Sequence, residues 1–63
     1  MGEYGKWKVI IMSTGAGGFY RQFRGDSSWE KPTEGVETGD ELIEIDTAKG
    51  FCWLEGKGWC QVF

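Results

Sequence analysis

Hydrophobic and polar positions alternate over short stretches of this chain and never keep a helical spacing. Runs of β-branched and aromatic residues are separated by segments rich in Gly, Asp, Ser or Thr, a pattern typical of short strands joined by tight turns. Six strands are predicted, over residues 6–13, 19–24, 27–30, 41–46, 51–55 and 59–63. Residues 47–49 could form one helical turn and nothing longer. The elements predict an all-β domain, and a length of 63 residues allows one domain at most.

The last predicted hairpin turns around Gly56-Lys57-Gly58, and its alternation separates two faces. One face carries smaller side chains and is the predicted core: Cys52, Leu54, Cys60 and Val62. The other face carries aromatic side chains: Phe51, Trp53, Trp59 and Phe63. We expect some of these aromatic rings to close the ends of the domain and the remainder to form a shelf for a ligand.

Charge and composition narrow the class of function. Residues 1–31 carry five basic and three acidic residues, whereas residues 32–63 carry two and seven. The acidic half argues against nucleic acid as a partner; it could attract a basic peptide, or simply keep a sheet edge solvated. The chain has no histidine and no nucleophile–base pair, so neither an enzyme nor a metal or cofactor site is expected.

The two cysteines are compatible with either a cytoplasmic or an extracellular location of the protein. A turn that pairs residues whose numbers sum to 112 would place Cys52 directly opposite Cys60. Two cysteines facing each other at a non-hydrogen-bonded site are close enough to bridge. The alternative is a pair of buried thiols in a cytoplasmic protein, which the lack of a secretory signal favours; a disulfide would suit an extracellular one. No apolar run approaches the roughly 20 residues that cross a bilayer, so no membrane partner is expected.

Residues 7–32 contain four features in sequence: a Trp, a glycine turn with an aromatic pair, a second turn, and Trp-x-x-Pro. They are Trp7, Gly17-Gly18-Phe19-Tyr20, Gly25-Asp26-Ser27-Ser28 and Trp29-Glu30-Lys31-Pro32. This segment resembles the WW domain, a three-stranded sheet that binds proline-rich peptides. The resemblance implies packing roles behind the sheet for Trp7, Tyr20 and Pro32. It implies a groove formed by Phe19 and Trp29, with Arg21 next on that face and Phe23 near its edge.

Residues 20–63 resemble SH3-like small barrels, especially the bacterial kind. The resemblance rests on a Gly-Asp turn that delivers a strand, in residues 36–45, and on the hairpin of residues 50–60. It implies a barrel of about five strands, with Phe51 lining a proline groove.

The barrel accounts for more of the chain than the WW-like sheet does. We therefore expect one small SH3-like barrel of five to six short antiparallel strands, with a WW-like segment at 7–32 and barrel strands within 36–63. The expected function is non-catalytic recognition of an extended proline-rich or basic peptide. The predicted ligand-binding side chains are Phe19, Arg21, Phe23, Trp29, Phe51, Trp53 and Trp59, and acidic residues would steer basic flanks: Glu37, Asp40, Glu41 and Glu44.

Two other classes of function remain open at this point. Aromatic faces also stack on sugar rings, so a cell-wall or carbohydrate-binding module is one alternative. A small acidic inhibitor or structural subunit that acts by protein–protein contact is the other. The identity of the partner and the oligomeric state do not follow from the sequence.

Overall fold

The computed structural model describes residues 4–63, which form one five-stranded sheet and contain no helix. The strands are β1 (Lys8–Ser13), β2 (Phe19–Gly25), β3 (Glu41–Glu44), β4 (Lys49–Leu54) and β5 (Gly58–Gln61). Their order across the sheet is the same as their order along the chain. The predicted all-β class is confirmed, and five of the six predicted strands are present.

A glycine-rich turn joins β1 to β2. The Thr14 N–H donates to the Gly18 carbonyl at 3.0 Å, and the Thr14 hydroxyl accepts from the N–H groups of Ala16 and Gly18. Gly15 and Gly17 have φ of 85° and 90°, a region that residues with a Cβ rarely adopt. The glycines of this segment therefore serve the turn.

Strands β2 and β3 run parallel, which corrects the expectation that all strands would be antiparallel. A parallel neighbour cannot be reached through a tight turn, so the chain crosses from one strand to the next through residues 26–40. The other three neighbouring pairs are antiparallel. No pairing joins β1 to β5 within residues 4–63, so the expected closure into a barrel is not seen.

The predicted strand at residues 27–30 is wrong, because this segment forms a turn. The Asp26 carboxylate accepts from both the N–H and the hydroxyl of Ser28, and the Trp29 N–H donates to the Asp26 carbonyl at 3.1 Å. Asp and Ser side chains often bond to nearby backbone in this way and so compete with a strand ladder.

Residues 29–36, here called the strap, lie across one face of the sheet without joining its ladder. Side chains bind the strap carbonyl groups instead. The indole N–H groups of Trp7 and Trp59 donate to Glu30 O and Pro32 O, each at 2.8 Å. The Gly35 carbonyl accepts from the Arg21 guanidinium at 2.7 Å and from the Tyr4 hydroxyl at 3.0 Å. Three carbonyl groups of the strap are therefore satisfied by side chains of the sheet and of the segment before β1.

The hydrophobic core lies between the sheet and the strap. Phe23 and Leu42 are neighbours on β2 and β3, and neither has any exposed surface. Trp7 is also buried in this cluster. Partly buried side chains complete it: Tyr4, Val9, Trp29, Phe51 and Trp59.

The predicted faces of the last hairpin are reversed. Phe51 and Trp59 pack against the core, whereas Leu54 and Val62 are 44% and 59% exposed. Alternation placed Phe51, Trp53 and Trp59 correctly on one face, and the strap covers this face rather than the smaller one. Phe63 departs from the prediction, because its ring covers the side of Gly50 on which a Cβ would lie, the same face as Cys52. The predicted pairing of this hairpin is confirmed, since Cys52 lies opposite Cys60, and both are free thiols.

Gly25, at the end of β2, provides a test of core packing. A Cβ at this position would lie 2.5 Å from Trp7 Cε3 and 2.6 Å from Trp29 Cε3. We expect Gly25→Ala to lower the free energy of unfolding by about 1–3 kcal/mol, because two rings must shift in a packed site. Gly18→Ala is the matched control, since its Cβ would meet only the Thr14 side chain, at 3.4 Å. Urea unfolding followed by Trp fluorescence measures both, and equal stability of the two variants would contradict this packing.

Candidate functional site

The seven predicted ligand-binding residues do not form one exposed shelf, since four of them belong to the core cluster: Phe23, Trp29, Phe51 and Trp59. Phe23 has no exposed surface, so it offers nothing to a ligand in this conformation. Phe51 and Trp59 pack against the core beneath the strap. Trp53 meets Trp59 edge to face at 5.2 Å, and its buried Nε1 finds no acceptor within residues 4–63. Phe19 is 73% exposed at the start of β2.

Arg21 is occupied by contacts within the chain. Its guanidinium donates to Asp40 Oδ2 at 2.6 Å and to the Tyr4 hydroxyl at 2.6 Å, in addition to the strap carbonyl at Gly35. The hydrogen bond with Asp40 raises the pKa of Arg21 above its ordinary value. The guanidinium carbon also lies 5.8 Å from the centre of the Phe23 ring. These contacts make Arg21 a clamp between the sheet and the strap.

Trp29 is the predicted site residue that borders an open cleft. The cleft, here called the Trp29 cleft, has a volume of about 520 Å³ and lies between the N-terminal turn of residues 4–6 and the strap. Its lining residues are Tyr4, Gly5, Lys6, Trp7, Trp29, Glu30, Lys31, Pro32, Thr33 and Glu34. Trp29 is half-buried and meets Trp7 edge to face at 5.6 Å, which fixes the orientation of this wall.

Charges in the Trp29 cleft fall into a bound pair and a free set. The Lys31 ammonium bonds to Glu44 Oε2 at 2.7 Å, so its charge is neutralised within the chain. The Lys6 ammonium lies 5.7 Å from the centre of the Trp29 ring. Glu30 and Glu34 are exposed and make no ion pair within the described part of the chain. The free set therefore holds one cation and two carboxylates.

A second, apolar hollow of about 350 Å³ lies beside the Trp29 cleft, lined by Gly25, Asp26, Trp29, Ile45 and Asp46. Ile45 is exposed there. Because Trp29 lines both spaces, it separates the two, and a chain that crossed it would contact both.

Two of the acidic residues expected to steer a partner are instead buried and bonded within the chain. Asp40 pairs with Arg21 at 2.6 Å, and it also accepts the N–H of Glu37 at 2.9 Å. Glu44 accepts from Lys31 and from the Thr47 hydroxyl, and these hydrogen bonds lower its pKa. Both carboxylates hold β3 to its surroundings rather than face a partner.

Of the ten residues that line the Trp29 cleft, only Trp29 was predicted from the sequence to bind a ligand; the side chains missed include Tyr4, Lys6, Glu30 and Glu34. The N-terminal turn and the strap are separated by more than the length of the β1–β2 hairpin. No local pattern signals such a contact. Only Trp29 carried a usable signal, through the Trp-x-x-Pro motif.

Comparisons with protein-family models, with curated proteins and with solved structures each found no match to this chain. The resemblances to SH3-like barrels and WW domains therefore stay predictions. Within residues 4–63, no group of three or more Cys, Asp or Glu side chains is placed to hold a metal ion. The same residues contain no helix that is long and apolar enough to cross a membrane.

The carboxylates of Glu44 and Asp46 make stability depend on pH. Lys31 and Thr47 lower the pKa of Glu44, and the hydroxyl and N–H of Ser27 lower that of Asp46. A lowered folded pKa adds stability above the ordinary values, about 4.3 for Glu and 3.9 for Asp, which is lost as pH falls through the folded values. We expect the melting temperature to hold above about pH 5 and to fall steadily below it.

Two variants separate this effect from general acid sensitivity. Glu44→Gln should flatten part of the decline in melting temperature, because one of the responsible carboxylates is gone. Glu34→Gln is the matched control, since Glu34 is exposed and makes no ion pair within residues 4–63, and it should decline as the parent does. Thermal melts by circular dichroism at a series of pH values give the comparison. A Glu44→Gln profile parallel to the parent would exclude the role assigned to this carboxylate.

Proposed function

We propose that the protein is a non-catalytic binding module that holds an extended proline-rich or basic peptide in the Trp29 cleft. The observation that carries this proposal is a half-buried Trp ring forming one wall of an open cleft of about 520 Å³. Ligand sites in proteins have volumes of roughly 300–1,000 Å³, and they combine apolar walls with a few polar groups. The cleft has both features.

A proline ring suits this wall for a physical reason. It is flat and apolar, and a polyproline II segment is already ordered before it binds, so little conformational entropy is lost. The WW-like resemblance assigns a groove to Phe19 and Trp29 together; of these two only Trp29 lines the cleft, so the resemblance supports the proposal at Trp29 alone. The SH3-like resemblance assigns the proline groove to Phe51. The Lys31 ammonium lies 4.8 Å from the centre of the Phe51 ring and covers it, so this assignment has less support.

Basic flanks of the peptide have partners in the same cleft. A Trp face attracts a cation, and Lys6 already occupies that position at 5.7 Å from the ring centre. An incoming Lys or Arg side chain would replace Lys6 and meet Glu30 and Glu34. Because the peptide must displace an internal contact, we expect modest affinity with a clear dependence on salt.

A nitrogen-15 correlation spectrum, titrated separately with a proline-rich and a lysine-rich peptide, tests the proposal. The four Trp indole signals give one probe in each environment. We expect the Trp29 signal to shift, while the buried Nε1 of Trp53 holds still. No shift at Trp29 with either peptide, or a larger shift at Trp53, would refute the proposed site.

Substitution of the exposed carboxylates tests their contribution to peptide binding without disturbing the core. Glu30→Gln combined with Glu34→Gln should weaken binding of the lysine-rich peptide about two- to thirtyfold, since exposed ion pairs contribute about 0.2–1 kcal/mol each. Phe19→Ala is the control, because Phe19 is an exposed aromatic side chain outside the cleft. Binding that Phe19→Ala weakens as much as the double variant would move the site away from Trp29.

A further inference from the structure

Cys52 and Cys60 lie directly opposite each other on β4 and β5, on the sheet face turned away from the core. Both are half-buried free thiols. Each sulfur makes only a long contact with a carbonyl group of its own strand, at 4.0 Å for Cys52 and 3.7 Å for Cys60. No structural role within the described residues occupies either thiol.

The hydrogen-bond pattern defines the kind of rung that the two cysteines share. Trp53 directs its backbone groups toward the β3 side, since its N–H donates to Asp40 O at 2.9 Å and its carbonyl accepts from Gly39 at 3.1 Å. The preceding residue, Cys52, therefore directs its backbone groups toward β5. The Val62 N–H donates to Gly50 O at 2.8 Å, two positions along, which fits the same alternation.

This pattern corrects the expectation of a non-hydrogen-bonded site. In a hydrogen-bonded rung the two Cα atoms are about 5.5 Å apart. Disulfides span Cα separations of roughly 4.4–6.8 Å, so this rung is within reach of a covalent bridge. On the same face, the nearest rung toward the turn pairs Leu54 with Gly58, and the missing side chain of Gly58 leaves space on one side for the thiols to turn toward each other.

We propose that Cys52 and Cys60 form a reversible dithiol–disulfide couple that is oxidised by a small-molecule disulfide such as oxidised glutathione. The thiolate of one cysteine attacks a sulfur of the oxidised glutathione and releases one reduced glutathione, which takes up the proton. The thiolate of the second protein cysteine attacks the sulfur of the first protein cysteine in this mixed disulfide and releases the second reduced glutathione. The protein loses two hydrogens, and the oxidant gains them.

The geometry also indicates that the bond is easily reduced. The bridge would close only residues 52–60, and a short loop gains little from closure. It must also draw the two Cβ atoms toward about 3.8 Å within a rung whose backbone is already bonded. Strain of this kind makes a disulfide more reducible, which distinguishes a labile couple from a permanent structural bond.

A disulfide between Cys52 and Cys60 would also change the environment of side chains on the opposite face of the sheet. Trp53 and Trp59 form the next rung, and the Trp59 indole N–H holds the strap carbonyl of Pro32 at 2.8 Å. A change in twist at the cysteine rung would therefore alter the environment of the Trp59 indole. Trp7 makes the same kind of bond, to Glu30 O at 2.8 Å, from outside the hairpin, and it gives an internal reference.

The first experiment treats the reduced, folded protein with oxidised glutathione, quenches with acid and measures intact mass. We expect a monomer that has lost two hydrogens and retains no glutathione, and that reduced glutathione converts back to the dithiol. Cys52→Ser and Cys60→Ser should each retain one glutathione instead. A parent protein that stops at glutathione adducts, forms linked dimers, or stays oxidised in reduced glutathione would overturn the proposal.

The second measurement establishes that the reaction occurs in the folded state. Nitrogen-15 spectra before and after oxidation should retain the dispersion of a folded sheet, with the Trp59 indole signal shifted more than that of Trp7. A spectrum that collapses on oxidation, or a bridge that forms only in urea, would show that the rung does not accept the bond.

Discussion

An irregular segment packed over a sheet must find hydrogen-bond partners for its backbone, and this requirement governs the whole structure. The strap joins no ladder, so its carbonyl groups accept hydrogen bonds from indole, phenol and guanidinium side chains instead. Trp7 and Trp59 bind carbonyl groups that lie 23 and 27 residues away in the chain. Each ring packs in the core while its N–H satisfies the strap, so one residue does both tasks. A Phe at either position would lose the donor and would also leave a smaller ring in a packed site.

Two ion pairs attach the strand at the centre of the sheet. Asp40 immediately precedes β3 and pairs with Arg21, whereas Glu44 ends it and pairs with Lys31. Burying a carboxylate is costly unless a cation and hydrogen bonds accompany it, and both are present at each end. Part of the acidic character of the second half is therefore internal architecture and not a solvated edge.

The same architecture decides which aromatic rings remain available. Covering the sheet uses Trp7, Phe51 and Trp59 for the core, and the Trp53 Nε1 is buried as well. Trp29 lies at the margin of the strap and so borders both hollows. A high aromatic content predicted a large binding shelf, but in a chain of this size most of those rings are needed to build the core.

Local periodicity was sufficient to predict the class of fold, five of its strands and the register that places Cys52 opposite Cys60. Each of these depends on neighbouring residues and on the turn between them. Two features depended on tertiary structure: the parallel pairing of β2 with β3, and the face that is buried. The turn at residues 27–30 is built instead from local hydrogen bonds of Asp26, a signal that the strand prediction overlooked. A period of two shows which residues share a face, but a covering segment decides which face is the core. Here that decision rests on contacts such as Trp7 with Glu30, between residues far apart in the chain, which no local pattern encodes.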